Sequence, residues 1–273
     1  MAIFSNFKSI INHKTIKMKK IYSLLFLLST CLAFGQVIQT RFLNVDRGKN
    51  QKFEAGVEKK TKMFNSKEGQ LRFYTFRINS GINTGKYFRV RYEDEISGFD
   101  INPPAAALKL WQDEIGDIMT ADNTRWLGYN KNASHVNVSP FSKPLRRVME
   151  YSYRAEMGDE FWRFRLNVAK AIKESNADIF MEVWNCASGC DGNTVLIVFG
   201  HSDFKELGQD NSVEWGKVYD KYEELNGEGS YDKDISNFNK SLEIYGRRTY
   251  NMSFLPELSS PENMSNLDKL TTD

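Results

Sequence analysis

Two cysteines stand four positions apart in Asn185-Cys186-Ala187-Ser188-Gly189-Cys190, and a histidine follows in Gly200-His201-Ser202-Asp203. Cysteines so close together could form a redox pair, a metal site or a disulfide. Redox pairs usually have two intervening residues, and here there are three. A zinc site takes four ligands, and beyond position 35 the chain has only His135 and His201 to add. The pattern therefore favours a structural Cys186–Cys190 bridge and no metal. His201 beside Asp203 at a strand end could act as a general base. The alternative, which the spacing favours, is a loop in which Ser202 or Asp203 caps the next helix. No histidine falls on a helix face that could give haem a proximal ligand. Gly227-Glu228-Gly229-Ser230 lacks the strand and lysine of a phosphate loop, and no nucleophile elbow is present. No cofactor is expected, and no catalytic residue stands out beyond the candidate His201.

Charges inside aromatic strands are the second candidate set. Alternation puts Tyr87, Arg89 and Arg91 on one face and Phe88, Val90 and Tyr92 on the other. Arg77 shares a face with Phe73 and Thr75, Glu182 with Phe180 and Trp184, and Glu150 with Arg154. Arg77, Arg89, Arg91, Glu182 and Trp184 could line a ligand site between sheet and helices. The competing and favoured reading makes the charges structural ion pairs, since buried charges are normally paired. The chain's 5 Trp, 12 Tyr and 19 Phe are mostly core, with some available to line a cavity.

Periodicity supplies the elements that would hold these residues. Strands are expected at 38–45, 71–79, 86–93, 147–156, 178–185, 193–199 and 248–254. A short strand is expected near 135–138 in an otherwise irregular 122–145. Helices are expected at 50–65, 105–120, 160–175, 204–226 and 232–245, with a frayed polar tail from Pro256.

The order is strand, helix, strand, strand, helix, strand, twice over. Phe53, Val57, Lys59, Lys62 and Asn65 recur 111 positions later as Phe164, Val168, Lys170, Lys173 and Asn176, and Gly85 recurs 107 positions later as Gly192. This duplicated βαββαβ pattern resembles the dimeric α/β-barrel superfamily, which is ferredoxin-like and includes antibiotic-biosynthesis-type monooxygenases and stress-responsive proteins. The resemblance covers about 38–255. It implies an α+β fold of two tandem ferredoxin-like repeats, with antiparallel sheets packed as an intrachain pseudo-dimer and helices on the outer faces. It carries over no catalytic residue.

Met18-Lys19-Lys20, the apolar run from Ile21, and Ala33 and Gly35 before Gln36 read as a secretory signal peptide. Residues 1–17 read as an upstream extension. A lipoprotein cysteine at Cys31 is less favoured, because Thr30 stands where that motif has Gly or Ala. The organisation expected is 1–35 leader, 36–145 first repeat, 146–255 second repeat and 256–273 tail. Residues 1–35 hold five lysines and no acid, leaving 32 basic and 35 acidic residues in the remainder. No nucleic-acid footprint follows, and no later run is long enough to span a membrane. The expectation is an exported, periplasmic or secreted protein, monomeric and more a binder than an enzyme, taking a small apolar or aromatic ligand. A cofactor-independent monooxygenase-like enzyme and a cell-surface interaction module are the alternatives.

Overall fold

The computed structural model describes residues 35–209 and 212–264. Most of the leader, Cys31 included, and the last part of the tail lie outside the described residues. The first half runs β1 (Val37–Val45), α1 (Asn50–Phe64), β2 (Arg72–Ile78), β3 (Tyr87–Glu93), α2 (Ala105–Ile115) and β4 (Met119–Tyr129). The second runs β5 (Leu145–Tyr153), α3 (Gly158–Glu174), β6 (Phe180–Ser188), β7 (Asn193–His201), α4 (Phe204–Gln209), α5 (Ser212–Asn226), α6 (Ser230–Ser241) and β8 (Leu242–Phe254).

The eight strands form one closed barrel in the order β1-β3-β2-β8-β5-β7-β6-β4, every pair antiparallel. Each half keeps its own four strands together, as β4-β1-β3-β2 and β8-β5-β7-β6. The two sheets oppose each other across the interior, as a pseudo-dimer requires, and they also join at both edges. Those joints are β2 to β8 at Phe76–Ile78 and β4 to β6 at Trp126–Tyr129. Closure removes the exposed strand edges that invite aggregation.

Register fixes the repeat more tightly than sequence does. Adding 108 to each number turns Thr40↔Val90 into Val148↔Val198, Tyr74↔Val90 into Glu182↔Val198, and Val37↔Glu93 into Leu145↔His201. The sequence shift of 107 read from Gly85 and Gly192 would have exchanged inward and outward faces, because side chains alternate along a strand. The helices keep the shift of 111. Phe53 is fully buried with Leu43, Tyr87 and Ile115, and Phe164 is buried with Tyr222 and Phe238. Gly56 lets α1 approach α2, since an added Cβ would lie 2.5 Å from Ile115 Cγ2.

Several boundaries differ from the sequence reading: the helix expected at 105–120 ends at Ile115, that expected at 204–226 is α4 and α5, and that expected at 232–245 gives way to strand at Leu242. The fourth strand is Met119–Tyr129, whereas His135 makes only an isolated bridge to Met181. Residues 120–124 of β4 are exposed, so the strand lacks the alternation that a half-buried strand shows. β8 begins at Leu242, six residues early, because a bulge facing Tyr151–Tyr153, with Tyr245 at φ 60°, interrupts its pattern. The stretch from Pro256 docks as far as Ser260. Ser259 and Ser260 hydroxyls accept from the Thr75 and Phe73 amides, and Ser260 N donates to Phe73 O. The same serines that suggest a loose tail here supply partners to the part of β2 that β8 does not reach.

Candidate functional site

The structure divides the candidate residues among three places. Arg77, Arg89 and Arg91 project from the outer face of β2 and β3. Arg77 Nη1 donates to Tyr87 Oη at 2.7 Å, and Tyr87 donates to Glu54 at 2.6 Å. Arg91 Nε donates to Glu93 at 2.7 Å, and its Nη2 donates to the Gly98 and Ile101 carbonyls. Arg89 is 1% exposed, donates to Thr75 Oγ1 at 2.6 Å and lies 4.9 Å from the Phe73 ring. These three arginines build the helix–sheet layer of the first half. Burial, then the Arg89 and Arg41 charges, lowers the neighbouring Lys60 to about 7.

Glu182 and Trp184 point the opposite way, into the barrel. They line a cavity of about 110 Å³ whose walls include Phe88, Val90, Val148 and Leu196. Glu182 lies against that apolar cavity, and burial raises its carboxyl against the pull of Arg146 and a hydrogen bond from Trp184. Arg146 is 4% exposed, donates to Pro140 O and stacks 4.6 Å from the Phe180 ring. Its inward neighbour on β7 is Gly200, where a Cβ would collide with the guanidinium.

His201 lies in a third place. The sheet of the second half and helices α3, α5 and α6 enclose a groove of about 320 Å³. The sheet supplies Met149, Tyr151, Phe199 and His201. The helices supply Phe164, Arg165, Trp215 and Tyr231. His201 is buried at the end of β7, and burial with the Lys173 charge lowers the other histidine, His135. Beside His201, Asp203 Oδ1 accepts from Glu206 N at 2.7 Å, so the helix cap and the groove-lining imidazole are adjacent but separate features.

Arg165, like Arg146, is a residue the sequence reading missed. It sits on the buried face of α3 among Phe161, Phe164 and Val168. An arginine at a core-facing helical position was its available signal. Its Nη2 lies 3.0 Å from Met181 Sδ, and its Nε has no partner. Burial lowers its pKa, while the Tyr151 and Tyr231 hydroxyls are the groups that favour its charge. Among the described residues no carboxylate pairs with it. A buried cation in this condition is costly unless an anion meets it.

Cys186 and Cys190 are bonded, with Cα atoms 6.4 Å apart, across the tip joining β6 and β7. Among the described residues no cluster of three metal-ligating side chains occurs and no helix is long and apolar enough to cross a membrane.

No family model and no curated protein matches the chain. Solved structures do. A candidate monooxygenase from Lactobacillus acidophilus NCFM aligns over 84% of this chain and 97% of its own, with a TM-score of 0.53 at 9% identity. The fold is the dimeric α/β barrel. A candidate monooxygenase from Fusobacterium nucleatum covers 82% of this chain and 94% of its own, with a TM-score of 0.52 at 10% identity. A mutant chlorite dismutase from Candidatus Nitrospira defluvii, in complex with cyanide, covers 84% and 94%, with a TM-score of 0.50 at 10% identity. In the present dimeric α/β barrel, residue roles rest on the groove and cavity themselves, because identities this low speak for the fold alone.

Proposed function

We propose that this protein binds a small aromatic anion in the groove between the second sheet and its helices. The observation that carries this reading is Arg165, buried in a groove of about 320 Å³ with no carboxylate partner among the described residues. A ligand carboxylate or phenolate would supply the missing charge. Phe164, Phe199, Trp215 and Tyr231 offer faces and edges for a ring. Arg247, also in the lining, adds positive potential beside the groove. Titration calorimetry with 2-naphthoate tests it. Wild-type protein should bind saturably, and Arg165→Leu should weaken binding by roughly 10- to 100-fold, the worth of a charged hydrogen bond. Equal binding of 2-naphthoate by the two proteins would remove Arg165 from the account.

An enzyme is the second reading. The two candidate monooxygenases that share the fold support it, as does an imidazole, His201, in the same groove as Arg165. In this reading His201 takes a proton from the bound aromatic while Arg165 holds the resulting anion. Oxygen consumption with phenolic substrates that falls in His201→Ala would favour it over simple binding.

The chain is also proposed to be exported, with cleavage before Gln36, and to act as a monomer. The leader pattern and the Cys186–Cys190 bridge support the first. A barrel completed by one chain supports the second. N-terminal sequencing of exported material and sedimentation velocity are the respective tests.

A further inference from the structure

The barrel interior poses a question separate from the groove. Tyr74, Tyr92 and Tyr250 line the same apolar cavity as Glu182 and Arg146. All three phenol oxygens are buried without a hydrogen-bond partner, and so is Arg146 Nη1. Tyr92, Tyr250 and Arg146 are each more than nine-tenths buried. Native interiors leave few such atoms unsatisfied, and the four residues that carry them here all line one cavity, so an occupant that drew them round would satisfy them. At about 110 Å³ the space exceeds that of a single water several-fold and is close to the size of cavities that accept a benzene ring. Aliphatic and aromatic side chains from both halves make most of its wall, so a string of waters would find partners at a few points only.

We propose that the barrel lumen is a second binding site, which takes a small neutral aromatic molecule bearing a carbonyl oxygen. The chemistry follows from the unpaired groups. Phenol O–H and guanidinium N–H donate, so the occupant must bring acceptors. The apolar wall requires the remainder of the molecule to be uncharged and ring-like. Arg146 already interacts with Glu182, which lies on the same sheet one strand beyond β7, so no net charge awaits an ion there, unlike at Arg165. Phe141 packs edge-on against Tyr74 and Phe254, with ring centroids at 5.9 and 5.1 Å, and Pro140 O holds Arg146. Pro140 and Phe141 thus wall one side of the cavity. The occupant would touch both repeats, which makes the site a property of the joined barrel rather than of either half.

Benzaldehyde is the probe, read by methyl NMR of protein labelled at its methionine methyls. Met252 lines the lumen and Met149 lines the groove, so the unmodified protein reports which site fills. The expected result is a saturable shift of the Met252 methyl with Met149 unmoved. Tyr74→Phe and Tyr250→Phe should each weaken the response roughly five- to ten-fold, the worth of one hydrogen bond. Arg165→Leu should leave it unchanged, so failure of the groove reading and failure of this one are distinguishable. No shift of Met252 at millimolar benzaldehyde, or a shift of Met149 alone, would overturn the proposal. So would a ligand-free crystal structure with ordered waters on all four polar atoms whose lumen stays closed to benzaldehyde.

Discussion

Arg125 and Glu150 meet inside the barrel, Nη1 to Oε2 at 2.8 Å, although their strands, β4 and β5, are not neighbours in the sheet. Their side chains are 11% and 10% exposed. The pair therefore ties the first half to the second across the interior, near Tyr250 and beyond Val148 from Arg146. Removing either partner strands a buried charge. Glu150→Ala should lower stability by about 3–5 kcal/mol in urea unfolding, since it also removes the carboxylate that Arg248 approaches at 3.9 Å. A double Arg125→Met, Glu150→Leu variant should recover much of the loss.

The repeat makes a paired prediction. Phe53 and Phe164 occupy the same place in α1 and α3, both buried against their own sheets. Truncation to Ala should cost about 3–5 kcal/mol at each position. Chemical denaturation of the two variants checks this, and a loss under about 1 kcal/mol at either would deny that position its core role.

Much of this fold was legible because its halves carry separate, strongly periodic helices. Phe53, Val57 and Lys60 on one face, and Phe164, Val168 and Ala171 on the other, are all buried. The barrel's closure was not legible. It depends on three residue pairs between β2 and β8 and on a β4 whose residues 120–124 are exposed, and neither leaves a pattern in a single strand. The site was half legible for a related reason. Alternation grouped Arg89 and Glu182 in one possible lining between sheet and helices, whereas register turns Glu182 into the barrel, where it is equivalent to Tyr74 and lines the same cavity. Arg146 and Arg165 escaped notice because each interrupts an apolar face by a single residue.

The Cys186–Cys190 bridge closes a short loop, so its contribution to stability should be modest, roughly 2 kcal/mol by loop-closure entropy. Unfolded, unreduced protein beginning at Gln36 should show no free thiol. Two thiols per chain in that assay would place the cysteines in the reduced form.

Lys60 gives stability a pH dependence of known sign. Burial, then the charges of Arg89 and Arg41, brings it from 10.5 to about 7. Between those values the unfolded chain holds a proton that the folded chain has released. Its contribution is thus least favourable below about pH 7 and improves as pH rises toward 10.5. The stability difference between Lys60→Met and wild type should be largest near about pH 6 and shrink by about pH 9. A difference independent of pH would show that Lys60 titrates as an ordinary lysine.

The most direct test of the functional account is a crystal structure of the protein soaked with 2-naphthoate. The carboxylate is predicted within hydrogen-bonding distance of Arg165 Nε, with the ring against Phe164 and Trp215. Clear density for the probe elsewhere, or an Arg165 already paired with a carboxylate of the chain, would contradict it.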